Sequence, residues 1–230
     1  MADLRIFIGL GSNLGDGMRQ LLTAWDLLGS APGISLIRLS SPYRSAPVGM
    51  ESDNWFTNAV GEIRSNMSPL WLLRHLLAIE AIMGRQRDPE ETGYRDRPID
   101  LDLLYYGGLQ LVMSGLCLPH PERQRRLFVL EPLVEIAADF IDCETSCSVA
   151  ALLADLRRRE SVLPAERRQS LCAISWPETS QPFSLVGPVP LSALNISSSS
   201  LYTDYSCFFC RAGCQPSAPR PFSCQSKGES

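Results

Sequence analysis

The sequence predicts an α+β fold, a ferredoxin-like split βαβ sandwich in which an antiparallel sheet packs against helices. Three observations predict it. Short apolar runs and helical stripes alternate in the order β-α-β-β-α-β through the first two thirds of the chain. The two central strand-like segments, 34–45 and 55–64, are joined only by the loop around "PVGMESDN", which makes them neighbours. The last strand, "IDLDLLYY", alternates apolar and acidic residues, as a sheet with one buried face requires.

Each element has a local reason. "LRIFIGL", residues 4–10, is an apolar run ending at glycines and reads as a buried strand. The glycines of "GLGSNLG" are spaced GxGxxxG, no Gly-Lys-Ser/Thr follows, and no acidic residue ends the next strand. They are therefore expected to serve a tight turn rather than a dinucleotide or Walker-type phosphate loop. Leu21, Leu22, Trp25 and Leu28 then form a helical stripe that Gly29 stops. Ser68-Pro69 supplies an N-cap followed by proline at the first helical position, Leu72, Leu76, Ile79 and Met83 share one face, and Gly84 closes that helix. After the polar loop 85–98 comes the acidic strand, and "YYGGLQLV" suggests a hairpin through Gly107-Gly108. Helical pieces are expected within 122–137 and 146–159, with the helices on one sheet face and the other left open for ligands.

Composition divides the 230 residues into a patterned domain, 1–160, and an extension, 161–230, with 15 Ser and 8 Pro. Such a segment buries too little apolar surface to offset its ordering entropy, so poor order is expected. It carries Cys207, Cys210, Cys214 and Cys224, of which the first two have metal-ligand spacing. With one CxxC rather than two, reduced thiols are favoured over a zinc site. The net charge of −4 argues against a general nucleic-acid binder, and no apolar run is long enough to cross a membrane. The N-terminus lacks the features of a signal peptide, so a cytoplasmic location is expected.

Asp100 and Asp102 lie on one face of their strand, while Ile99, Leu101 and Leu103 take the other. Their backbone positions are about 6.6 Å apart, within range of one hard cation or two. A solvated strand face is the alternative, although two like charges on one face repel unless something compensates them. Arg85, Arg87, Arg95 and Arg97 precede the pair, and His120, Arg125 and Arg126 follow it. Guanidinium groups and magnesium-bound carboxylates both recognise phosphate oxygens, so the combination points to a polyphosphate ligand.

The run "RPIDLDLLYYG" resembles the signature of the 6-hydroxymethyl-7,8-dihydropterin pyrophosphokinase family of folate biosynthesis. The likeness extends, in order, through "IGLGSNLGD", "SSPYRSAPVG", "WFTNAV", "IEAIMGRQR" and "LPHPERQRRLFVLEPLVEIA". It implies a diphosphokinase, a transferase that moves pyrophosphate from ATP to 6-hydroxymethyl-7,8-dihydropterin and releases AMP. By this resemblance Asp100 and Asp102 hold two Mg2+ ions, Arg85, Arg97, His120 and Arg126 bind ATP, and Arg85, Arg87 and Arg97 assist catalysis. Phe56, Asn58 and Phe128 match pterin-contacting residues, and Ser45, Ala46, Pro47 and Val48 match a segment that offers backbone groups to the ring. Arg95-Asp96 stands where the family usually has Gly-Pro, and Tyr94 falls near the family's loop aromatic. The expected partners are these small substrates, with no nucleic acid or membrane, and the expected state is a monomer. A two-metal nucleotidyl-transferring or cyclising enzyme, and a binding protein without turnover, remain as alternatives.

Overall fold

The structure, a computed structural model, describes residues 4–48, 52–86 and 95–177. The first strand, β1 (Ile6–Ser12), lies between β4 (Phe56–Ser65) and β5 (Asp100–Tyr106) and is antiparallel to both. On the far side of β4 lie β2 (Ile34–Leu39) and β3 (Tyr43–Ser45), each pairing with a different part of it. The resulting order, β5-β1-β4 and then β2 or β3, is that of the split βαβ plan.

The expected single strand over 34–45 is thus two. Ser40 donates its N–H to the Val60 carbonyl at 2.9 Å, while its hydroxyl accepts the Val60 N–H at 3.0 Å. At Ser41 the chain turns away from the ladder, giving its N–H and hydroxyl to Glu135, each at 2.9 Å. Pro42, which has no N–H to donate, completes the break.

One sheet face carries α1 (Gly17–Gly29) and α2 (Pro69–Ile82). Asp16 caps α1 by accepting the Arg19 N–H, and Ser68 caps α2 with Pro69 at its start. Leu21, Ala24, Trp25 and Leu28 of α1 pack with Leu72, Leu76 and Ile79 of α2 on Ile6, Ile8, Leu10, Leu101 and Leu103. Each fully buried side chain of this size contributes about 1.5–3 kcal/mol. Gly61 in β4 makes room for Trp25, whose ring would lie 2.2 Å from a Cβ built there.

The opposite face is not left open along its whole length. It is covered in part by α3 (Leu127–Ala137) and α4 (Val149–Ser161), where Leu130, Leu133, Ile136, Leu152, Leu153 and Leu156 bury Phe7, Val60 and Tyr105. A bulge at Leu104, between residues paired with Ile8 and Phe7, brings Leu104 and Tyr105 together into this second core. Among the described residues, α3 and α4 leave uncovered the end of the sheet that bears the two aspartates.

Two expectations about connections are corrected. Gly107-Gly108 does not turn β5 into a hairpin; β6 (Leu111–Met113) pairs with β7 (Leu116–Leu118) around Ser114-Gly115, where Gly115 has φ 81°. The tight two-residue turn favours a left-handed residue, and Gly115 supplies it. Nor does the fold stop at residue 160: β8 (Leu171–Ala173) pairs with β3 as an edge strand, and Trp176 donates from Nε1 to the Ser40 carbonyl at 3.0 Å. The four extension cysteines considered for zinc lie outside the described residues.

Candidate active site

The floor of the site is a strip of bare backbone. Gly9 and Gly11 lie within β1, opposite Asp102 and Asp100 on one side and Val60 and Asn58 on the other. They are therefore sheet positions rather than the tight turn expected of them; Gly15, with φ 68°, lies beyond the strand. Side-chain alternation puts Gly9, Gly11, Asp100, Asp102, Phe56 and Asn58 on the sheet face away from α1 and α2. With no Cβ at the glycines, a ligand can lie directly on the strand between an amide and two carboxylates.

A cavity of about 630 Å³, part of it open to solvent, lies over this strip. Asp100, Asp102, Arg97, Arg126, Phe56, Phe128, Asn58, Ser45, Ala46 and Val48 all line it, so most of the residues singled out from sequence converge. Pro47 sits between two lining residues without lining the cavity itself. Arg85 and His120 stand behind the aspartates, and Arg87 and Tyr94 lie outside the described residues.

Asp100 is held by arginines on both sides. Arg97 Nη2 reaches its Oδ2 at 2.8 Å, and Arg85 donates to its Oδ1. Arg85 also donates to Glu80 Oε1 at 2.7 Å, and that same oxygen accepts the Leu101 N–H at 2.7 Å. Burial works against the Arg85 charge, but Asp100 and Glu80 outweigh it and raise its pKa. Glu80, 1% exposed, was not a sequence candidate. It is a buried carboxylate on an otherwise apolar helical face, and that was the available signal.

Beneath Asp102 lies His120, 3.9 Å from its Oδ1 through Nε2. The Glu122 N–H donates to His120 Nδ1 at 3.3 Å, which assigns the neutral ring proton to Nε2, on the Asp102 side. Burial lowers the His120 pKa against the opposing pull of Asp102, favouring that neutral ring. His120 is held from behind by Arg123, whose Nη1 donates to its carbonyl at 3.1 Å. Arg123 is 1% exposed and pairs with Asp142 at 2.6 Å, so it is a structural cation rather than a phosphate ligand.

Asp96 gathers three loops at the mouth. Its carboxylate accepts from Asn13 at 2.6 Å, Ser52 at 2.7 Å and Asn54 at 2.5 Å. The Ser52 hydrogen bond, supported by those of Asn54 and Asn13, holds its pKa below the ordinary carboxylate range. Asn13 Oδ1 also accepts the Arg97 N–H at 2.8 Å, fixing the chain just before β5. On the other wall Asn58 donates to the Ser45 hydroxyl at 3.0 Å. Arg97 lies over the Phe56 ring at 5.8 Å and Arg126 over Phe128 at 5.3 Å, so each aromatic comes with a cation.

The donor set suits magnesium on chemical grounds: two hard carboxylates facing a cavity are the protein share that this ion usually takes, phosphate oxygens and water supplying the rest. Among the described residues no cluster of three or more His, Cys, Asp or Glu forms a metal cage of its own. No helix among them is long and apolar enough to cross a membrane.

Comparison with known proteins identifies the family. A family model described as 7,8-dihydro-6-hydroxymethylpterin-pyrophosphokinase matches residues 7–138. A 2-amino-4-hydroxy-6-hydroxymethyldihydropteridine pyrophosphokinase of Methylorubrum extorquens is 42% identical over 137 residues, 60% of this chain and 85% of the relative. One of the same name from Synechocystis is 40% identical over 146 residues, 64% of this chain and 73% of the relative. A solved HPPK-DHPS of Plasmodium falciparum superimposes with a TM-score of 0.57 at 12% identity, covering 69% of this chain but only 45% of that one. That last likeness bears on the fold alone. The chain belongs to the 7,8-dihydro-6-hydroxymethylpterin-pyrophosphokinase family, whose reaction, pyrophosphoryl transfer to hydroxymethyldihydropterin in folate biosynthesis, is its function.

Proposed function

We propose that the cavity over Gly9 and Gly11 holds both substrates at once, the pterin near Asn58 and the ATP triphosphate near Asp100 and Asp102. The observation that carries this reading is the register that sets Asn58, Gly11 and Asp100 side by side on three adjacent strands. A pterin edge at Asn58 then lies two strand spacings, about 9.6 Å, from a phosphate chain at Asp100, with the bare backbone of Gly11 between them.

The pterin ring is flat and polar at its edge. Phe56 and Phe128 offer its faces apolar surface, while Asn58 and the backbone of Ser45–Val48 offer its edge donors and acceptors. Arg97 and Arg126 face the triphosphate, with Arg85 reinforcing Asp100 from behind and His120 supporting Asp102. Arg87 matches, by the family resemblance, a loop arginine that assists catalysis at closure. Asp100 and Asp102 would hold two magnesium ions, which when bound offset the charge of the transferring phosphates.

In the reaction the pterin hydroxymethyl oxygen bonds to the β-phosphorus of ATP. The bond from that phosphorus to the α–β bridging oxygen breaks, its electron pair leaves with AMP, and the hydroxyl proton passes to solvent. The residues contribute position and field: the arginines hold the phosphate oxygens, and Asn58 aims the hydroxymethyl group. Such chemistry needs no strong base. Incubation with ATP, magnesium and the reduced pterin tests the reading. AMP formed only when pterin is present supports it, and release of inorganic pyrophosphate in place of transfer opposes it. The protein is proposed to act as a cytoplasmic monomer without nucleic acid.

A further inference from the structure

The family match ends at residue 138, but well beyond it the chain returns to the elements that bear the cavity's lining residues. After α4 it passes through a 3-10 turn at Ala165–Arg167 and, at Gln169, reaches the backbone on either side of Arg126. Gln169 Oε1 accepts the Leu127 N–H at 2.9 Å, and its Nε2 donates to the Arg125 carbonyl at 2.7 Å. Those two backbone groups flank Arg126.

This contact answers a local need. Leu127 opens α3, and Arg126 at the N-cap position is extended, with φ −121° and ψ 113°, and provides no side-chain cap. The first N–H groups of a helix have no intrahelical acceptor. Gln169 supplies one from 42 residues away. It is itself fixed by Glu160, whose Oε2 accepts its N–H at 2.7 Å and whose Oε1 accepts from its Nε2 at 3.1 Å.

The next residues hold the opposite wall. The Ser170 carbonyl accepts the Ala46 N–H at 3.1 Å, and Leu171 pairs with Ser45 in the β3–β8 ladder. Ser45 in turn accepts the Asn58 amide hydrogen bond. Consecutive residues of one segment therefore hold the turn that bears Arg126 and Phe128 and the strand end that bears Ser45 and Ala46.

We infer that Gln169 is a positioning residue for the transfer reaction, setting the backbone from which Arg126 and Phe128 enter the cavity, while Ser170 and Leu171 fix the facing wall. The inference rests on the proposed assignment of that cavity to the two substrates. It differs from plain structural support in what it affects: a displaced Arg126 or Phe128 weakens substrate binding in protein that is still fully folded.

The test uses the full chain. Gln169→Met keeps side-chain length and removes the three side-chain hydrogen bonds, to Leu127, Arg125 and Glu160, and Gln169→Ala is the second variant should the first fold poorly. Melting temperature, and KM and kcat with ATP and reduced pterin varied separately, are measured for each, alone and combined with Arg126→Ala. The expected result is a rise of on the order of tenfold in KM for at least one substrate, with a smaller change in kcat and a fully folded protein at the assay temperature. Combination with Arg126→Ala is expected to cost less than the two separate effects multiplied together. Unchanged KM values in the folded Gln169 variants overturn the inference. A KM rise in those variants while Arg126→Ala alone has no effect leaves Gln169 as a positioning residue, acting through Phe128, and removes the assignment of Arg126 to ATP.

Discussion

Gly11 stands between Asn58 and Asp100, paired with the first across the β1–β4 ladder and with the second across β1–β5. A Cβ built on it would lie 3.1 Å from Asn58 Oδ1 and 4.0 Å from the Asp100 Cβ. The missing side chain is what lets an amide and a carboxylate face one shallow space. Gly11→Val should therefore fold, since valine suits a strand, yet lose about a hundredfold in kcat/KM by pushing substrate off the floor. Circular dichroism and steady-state kinetics on the purified variant check this, and kinetics like those of the parent would mean that no ligand lies on the strand there.

Glu80 should matter more for stability than for binding. Its carboxylate anchors Arg85 and the Leu101 N–H from inside the core, so Glu80→Ala leaves a buried cation and a buried donor short of a partner. A loss of about 3 kcal/mol is expected by urea denaturation. Glu80→Gln, which keeps an acceptor for Leu101, should lose less. Equal stability of all three proteins would show that Arg85 is held by Asp100 alone.

Much of this arrangement is legible in the sequence, for reasons that differ by element. The cap at Ser68-Pro69 and the alternation of Leu101 and Leu103 with Asp100 and Asp102 are local signals, and the structure keeps them. Glu80, Arg123 and Gln169 were not legible as site supports because their partners are distant in sequence: Leu101, Asp142 and Leu127 lie 21, 19 and 42 residues away. The role of Gly9 and Gly11 is hidden in the sequence for a related reason. Spacing marks a glycine as unusual, but only the neighbouring strands reveal that what it avoids is a side chain over the sheet. β8 escaped because three residues carry no periodicity; its place is set by the free edge of β3.

The Arg123–Asp142 pair should make the protein acid-sensitive. Burial pushes the Asp142 carboxyl up, but Arg123, the Thr145 N–H and the Tyr105 hydroxyl outweigh it and leave the pKa below the ordinary value. A carboxyl depressed in the folded state contributes stability above its unfolded pKa of about 3.9 and loses it as pH falls through the folded value. Urea midpoints measured from pH 6 down to pH 2, with pH as the only variable, should fall below about pH 4. Asp142→Asn should be the weaker protein at pH 6, with its deficit shrinking as the pH falls. A deficit that is constant across that range would exclude Asp142 ionisation as the cause.

Asp102 faces the cavity from β5 beside His120 and opposite Gly9. The decisive measurement is pterin-dependent AMP formation by Asp102→Asn and by the parent across a magnesium titration, each at saturating ATP and pterin. If this strand face carries the transfer, the variant keeps its fold but loses about a hundredfold or more in kcat at every magnesium concentration, because an amide cannot replace the anionic ligand. Turnover close to that of the parent at limiting magnesium would place the reacting phosphates elsewhere.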